Sequence, residues 1–96
     1  MPSDPVTRRI RQALRKEFSG EKDKILIRND FKDLVHLYVV STKFRGKDRR
    51  QKIEMIANVL TSSLDPDEWG QVTLMVGLTP AEARKYWPRI PGLNGR

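Results

Sequence analysis

Apolar residues along this chain fall in blocks whose spacing changes from helical to alternating and back, and each change marks an element. Val6, Ile10, Ala13, Leu14 and Phe18 recur at three- and four-residue intervals, which is one face of a helix. Asp4-Pro5 supplies an N-cap and a proline at the first helical position, and Ser19-Gly20 is expected to end the helix with glycine in the left-handed conformation. Arg8, Arg9, Arg11, Arg15 and Lys16 take much of the remaining helix surface and read as a solvated face. A short strand over 24–28 and a nearly continuous apolar run over 34–41 follow, separated by the turn-rich residues 29–33. They are expected to pair as an antiparallel hairpin with a five-residue loop. The next residues, 42–47, form a loop with one glycine. Asp48 then opens a helix, with Gln51 three residues on as in a capping box. Ile53, Ile56, Ala57 and Leu60 define its first apolar face, and Met55 and Val59 a second strip.

After that helix, Asp65-Pro66-Asp67-Glu68-Trp69-Gly70 reads as a single capped turn with Trp69 as an anchor. Val72, Leu74, Val76 and Leu78 alternate with other residues, so 71–78 is a third strand with one buried face. Thr79-Pro80-Ala81-Glu82 is a second capping box, opening a helix that carries Ala83, Tyr86 and Trp87 and stops before Pro88. Residues 88–96 read as a flexible C-terminal tail, leaving 1–87 as one domain. The order is α-β-β-α-α-β-α. It predicts an α+β, two-layer domain: a three-stranded sheet with helices on one face. Ile53, Ile56, Leu60, Leu37, Val39, Leu74 and Val76 are the expected core.

Composition narrows the chemistry. Ninety-six residues with 38% hydrophobic content suffice for one small core. With no cysteine, the chain supplies neither disulfides nor thiolate ligands. It holds no apolar run of membrane-spanning length and no signal-peptide pattern at its start, so a cytoplasmic location is expected. One histidine, His36, sits mid-strand, and no nucleophile–base set or phosphate-binding glycine motif surrounds it. An enzyme is not expected, and no cofactor or metal is implied by these residues alone. The net charge of +7 favours a polyanionic partner.

That charge is concentrated. Between Lys43 and Lys52 lie six cations, Lys43, Arg45, Lys47, Arg49, Arg50 and Lys52, with Gly46 among them. They fall on the loop and the first turns of the helix after it. Cations in a first turn oppose the helix dipole, so they do not serve helix stability. Loop amides and a helix N-terminus attract anions, and Gly46 lets a ligand approach the backbone. Lys43, Arg45, Gly46, Lys47, Arg49, Arg50 and Lys52 are the candidate nucleic-acid-binding residues.

The same stretch carries a resemblance. Val39-Val40-Ser41-Thr42-Lys43-Phe44-Arg45-Gly46-Lys47 resembles the V-V-S-x-x-F-x-G-K signature of BolA-like proteins. The later strand running into Thr79-Pro80-Ala81-Glu82 is similar to that family's strand leading into Thr-Pro-Glu-Glu. The resemblance implies an α-β-β-α-α-β-α fold like a class II KH domain. It also implies a non-enzymatic regulator that binds DNA or partners a monothiol glutaredoxin around a shared iron–sulfur cluster. The family's Arg-His-Arg run falls on Lys52-Ile53-Glu54, so Ile53 stands where the ligand histidine is expected. Its other typical histidine falls on Leu34, with His36 two residues on. The resulting expectation is a nucleic-acid-binding transcriptional regulator, monomeric or weakly dimeric. The alternative is a glutaredoxin-partnering adaptor in iron homeostasis, weakened by Ile53.

Overall fold

The computed structural model describes residues 4–31 and 34–86. The expected tail 88–96, Trp87 of the last helix, Met1 to Ser3, and Lys32 and Asp33 of the hairpin loop lie outside the described residues. Helix α1 (Asp4–Glu17) precedes strands β1 (Lys24–Phe31) and β2 (Leu34–Val40). A 3-10 turn (Thr42–Phe44) leads to α2 (Arg49–Thr61), the single turn α3 (Pro66–Trp69), β3 (Val72–Leu78) and α4 (Pro80–Tyr86). The sheet order is β1-β2-β3, with β1 antiparallel and β3 parallel to the central β2. The α+β architecture and the element order agree with the sequence reading. Among the described residues no helix is long and apolar enough to cross a membrane.

The α1 stripe read from the sequence is buried in full: Val6, Ile10, Ala13, Leu14 and Phe18 pack against Val35, Leu37 and Val39 of β2 and Ile56 and Leu60 of α2. Burying each of the larger side chains contributes about 1.5–3 kcal/mol. Helices α1 and α2 thus cover one sheet face. The short α4 closes the end of the sheet, where Ala83 packs with Val40, Val76 and Leu78 as a separate small cluster.

Four local expectations are corrected. Gly20 is not left-handed; the only glycine with positive φ among the described residues is Gly46. The chain leaves α1 through a turn closed by Asp23, whose carboxylate accepts the Gly20 amide at 3.1 Å while its own amide donates to the Gly20 carbonyl. Strand β1 runs to Phe31, which pairs with Leu34 across a register shift, so the connection is shorter than five residues. Phe31 belongs to the strand. A β3 irregularity also moves the core. Val72 pairs with Val35, but Leu74 pairs with His36, so one extra residue, Thr73, is taken up between them. A one-residue shift exchanges the two faces of a strand. Met75 and Gly77 therefore face α2 beside Leu37 and Val39, while Leu74 and Val76 face the other side with His36 and Tyr38. Leu74 is outside the main core, Val76 joins the α4 cluster, and Ile53 is only half-buried.

The shift brings Gly77 under α2, and this position requires a glycine. A Cβ there would lie 2.9 Å from the Lys52 Cβ and 3.2 Å from the Phe44 ring. Glycine in a strand interior often marks such close approach.

A second tie runs from α2 to α4. Lys52 is buried at 8% exposure, and its ammonium donates to Glu82 Oε1 at 2.7 Å. The same oxygen accepts the Thr79 amide at 2.8 Å, and the Glu82 amide donates to Thr79 Oγ1, so the expected α4 capping box is present. The Lys52 hydrogen bond, reinforced by the Thr79 amide, holds the Glu82 carboxyl below its ordinary value of 4.5.

Gly77→Ala should force α2 or the Phe44 ring to move and cost about 1–3 kcal/mol, read from urea denaturation. The Lys52–Glu82 pair is asymmetric, with side-chain exposures of 9% and 39%. Glu82→Gln strands a buried ammonium, whereas Lys52→Met leaves a carboxylate that water can reach. Glu82→Gln should therefore be the worse change, at about 1–2 kcal/mol, less than a fully buried pair would lose. The folded-state pKa of Glu82 lies below the unfolded one. Its contribution is thus present above pH 4.5 and lost as pH falls through the lower folded value. Denaturation midpoints measured across the acid range should fall less steeply for Glu82→Gln than for the parent; parallel profiles would contradict the assignment.

Candidate nucleic-acid interface

Four residues build the basic loop: Ser41, Phe44, Gly46 and Asp48. At the end of β2, the Ser41 amide donates to the Leu78 carbonyl at 2.9 Å. Its side-chain oxygen accepts the Lys43 amide at 3.1 Å, which starts the 3-10 turn. Phe44 then points inward and is fully buried, its ring 5.3 Å from that of Phe18. Gly46 takes φ +74, the left-handed region that costs other residues roughly 1–2 kcal/mol, and no atom lies within 4 Å of where its Cβ would be. The backbone there is open to solvent. Asp48 finally caps α2: its carboxylate accepts the Gln51 amide at 2.8 Å and its amide donates to Gln51 Oε1 at 2.9 Å. This is the capping box read from the sequence. The amides of Arg49 and Arg50, as first helical residues, have no intrahelical acceptor.

The six cations have different fates. Arg45, Lys47, Arg49 and Arg50 are exposed. Arg50 makes only a loose pair with Glu54 at 3.6 Å, of the surface kind that contributes little. Lys43 turns back to the end of α1. Its ammonium reaches Glu17 Oε2 at 3.0 Å, donates to the Glu17 carbonyl and lies over the Phe18 ring. It caps a helix C-terminus, where a cation complements the negative end of the dipole. Lys52, placed in the exposed set by the sequence reading, is instead buried against Glu82. It has no free charge for a phosphate and is left out of the interface below.

The Lys43–Glu17 contact has a wider effect. It sets the loop against the last turn of α1, next to the exposed Arg15 and Lys16. The sequence reading treated the α1 cations as a separate solvated face. The fold sets the basic loop against the last turn of that helix.

Leu34 and His36 lie on the sheet face opposite Val35 and Leu37, as the alternating burial of β2 requires. Ile53 lies half-buried on α2, which packs on the other face, and carries no donor atom. Among the described residues no group of three or more His, Asp or Glu side chains converges on a point that could hold a metal ion.

No family model and no curated protein sequence matches the chain. Among solved structures it is similar to BolA1 from Arabidopsis thaliana, with a TM-score of 0.64 and 20% sequence identity over 80% of this chain and 94% of that one. At that identity the likeness speaks to architecture alone. Together with the three-stranded mixed sheet and the helix–strand order described above, it shows that this chain has a BolA-like fold.

Proposed function

We propose that this protein is a non-enzymatic, nucleic-acid-binding regulator whose phosphate-contacting edge is the loop and helix start bearing Arg45, Gly46, Lys47, Arg49 and Arg50. The observation that carries the reading is the run of exposed cations on the loop and the start of α2, which the Lys43–Glu17 contact sets beside the basic last turn of α1. An edge whose charges are held by a buried phenylalanine, a left-handed glycine and a capping box is preorganised. A phosphate there meets fixed charges and open amides at little ordering cost. In this reading DNA binding and transcriptional regulation are the biological setting and the cytoplasm the location. The glutaredoxin alternative draws no comparable support, because Ile53 offers no ligand and His36 lies across the sheet from it.

Binding to an oligonucleotide should follow counterion release. Four phosphate contacts give a slope of log K against log salt of roughly −3 to −4. Replacing Arg49 and Arg50 together with alanine should weaken binding at low salt and reduce the slope by about two, with little change in stability. Lys52→Met, by contrast, should leave the slope unchanged. Fluorescence anisotropy titrations over a range of salt concentrations measure both. Absence of low-salt binding by the parent protein, or indifference to the Arg49/Arg50 replacement, would end the proposal.

A further inference from the structure

Lys52 belongs to the basic run by position and is withdrawn from it by α4. It follows Arg49 by three residues on α2, a spacing that makes the two side chains neighbours on the helix surface, with Cβ atoms about 5–6 Å apart. Arg49 is exposed, whereas the Lys52 ammonium is enclosed and donates to Glu82 Oε1 at 2.7 Å. Local structure aims that carboxylate. The same oxygen accepts the Thr79 amide at 2.8 Å, and the Glu82 amide donates to Thr79 Oγ1 at 3.1 Å. Glu82 therefore meets Lys52 only while α4 is folded and seated. The seat itself is slight. Of the side chains described on α4 only Ala83 is buried, in a cluster with Val40, Val76 and Leu78 that is separate from the main core. An element with so little buried apolar surface opens at a lower free energy than the core does.

We infer that α4 is an autoinhibitory latch on the basic edge: Glu82 occupies Lys52 as a phosphate would, and undocking of α4 gives the polyanion one more cation beside Arg49. The inference rests on the proposed function and assigns its regulation. Carboxylate and phosphate oxygens are the same kind of acceptor for an ammonium. With α4 seated, the Lys52 charge is closed off. With α4 away, the long lysine stem can stay over Gly77 while its head turns out to water, as lysine stems on apolar surfaces do. A polyanion then binds the open form more tightly than the closed one. By linkage it shifts α4 toward the open form by the same factor. One added contact corresponds to a coupling of about fivefold, which leaves the closed form dominant in the parent. That is why Lys52→Met alone leaves the parent salt slope unchanged.

The test is a double-mutant cycle in the oligonucleotide titration, with the parent, Glu82→Gln, Lys52→Met and the double variant, each checked for folding by a thermal melt. Glu82→Gln should bind about fivefold more tightly than the parent at low salt, with a slope steeper by about one. In the Lys52→Met background the same replacement should add no slope. An equal gain with and without Lys52 would mean that only a nearby negative charge had been removed, and would overturn the latch. A second measurement uses the parent alone. The Ala83 amide donates to the Thr79 carbonyl at 2.8 Å, so its hydrogen exchange reports opening of α4. Saturating oligonucleotide should speed that exchange by about fivefold without speeding exchange in β2. Unchanged or slower exchange at Ala83 would overturn the inference. If the parent binds, and Arg49/Arg50 replacement weakens it, either negative result removes the latch and leaves the proposed function standing. Absence of binding by both the parent and Glu82→Gln would remove both.

Discussion

The burial of Phe44 is the constraint on which the loop, the sheet–helix packing and the display of charge all depend. Its ring sits at zero exposure between Phe18, just past α1, and the bare Cα of Gly77 on β3. A fully buried aromatic ring contributes about 1.5–3 kcal/mol by its area alone. That is enough to hold a cation-rich segment against the molecule that it would otherwise leave. With Phe44 inward, Gly46 must turn left-handed to reach Asp48, and Asp48 must cap α2. The cations between these points have only one direction left. Their exposure is a steric result of where the phenylalanine goes.

This explains why adjacent, chemically similar lysines and arginines behave so differently. Lys43 immediately precedes the inward Phe44 and lies against the α1 terminus, where a helix carbonyl and a carboxylate take its ammonium. Lys52 is one helical turn before Ile56 and two before Leu60, so it shares their buried stripe. Its charge is tolerated there only because Glu82 meets it. Arg45, Lys47, Arg49 and Arg50 have neither option. A count of positive residues in the segment treats all six alike, whereas the packing divides them into structural and exposed sets.

The parts of the fold legible in the sequence are those set by near neighbours. The α1 stripe and the capping boxes of α2 and α4 depend on residues three or four apart, and each was readable. What was missed depends on partners far along the chain. The extra residue at Thr73 makes no local mark; it exists because β3 must pair in parallel with β2 on both sides of it. It nonetheless decided which of Leu74 and Met75 entered the core. Gly77 was a visible signal, since a glycine within a strand pattern indicates close approach by something, though not by what. The position of Lys52 was also readable in principle, from its four-residue spacing to Ile56. Its positive charge made it look like part of the surface.

The frame around position 53 shows why shared architecture and shared chemistry separate here. Phe44, Gly46, the Asp48–Gln51 box and the Lys52–Glu82 tie hold the strand–loop–helix unit without any contribution from a donor atom at residue 53. A half-buried isoleucine satisfies the packing as well as a histidine would, and α2 keeps its place. The fold therefore does not depend on a metal-ligating side chain at that position. The exposed cations are in the same position, since neither the core nor the caps need them. Arg49 even stands against the helix dipole. The exposed cations are thus groups that the architecture does not require and that carry a small electrostatic cost where they stand, which is why the proposed function rests on them.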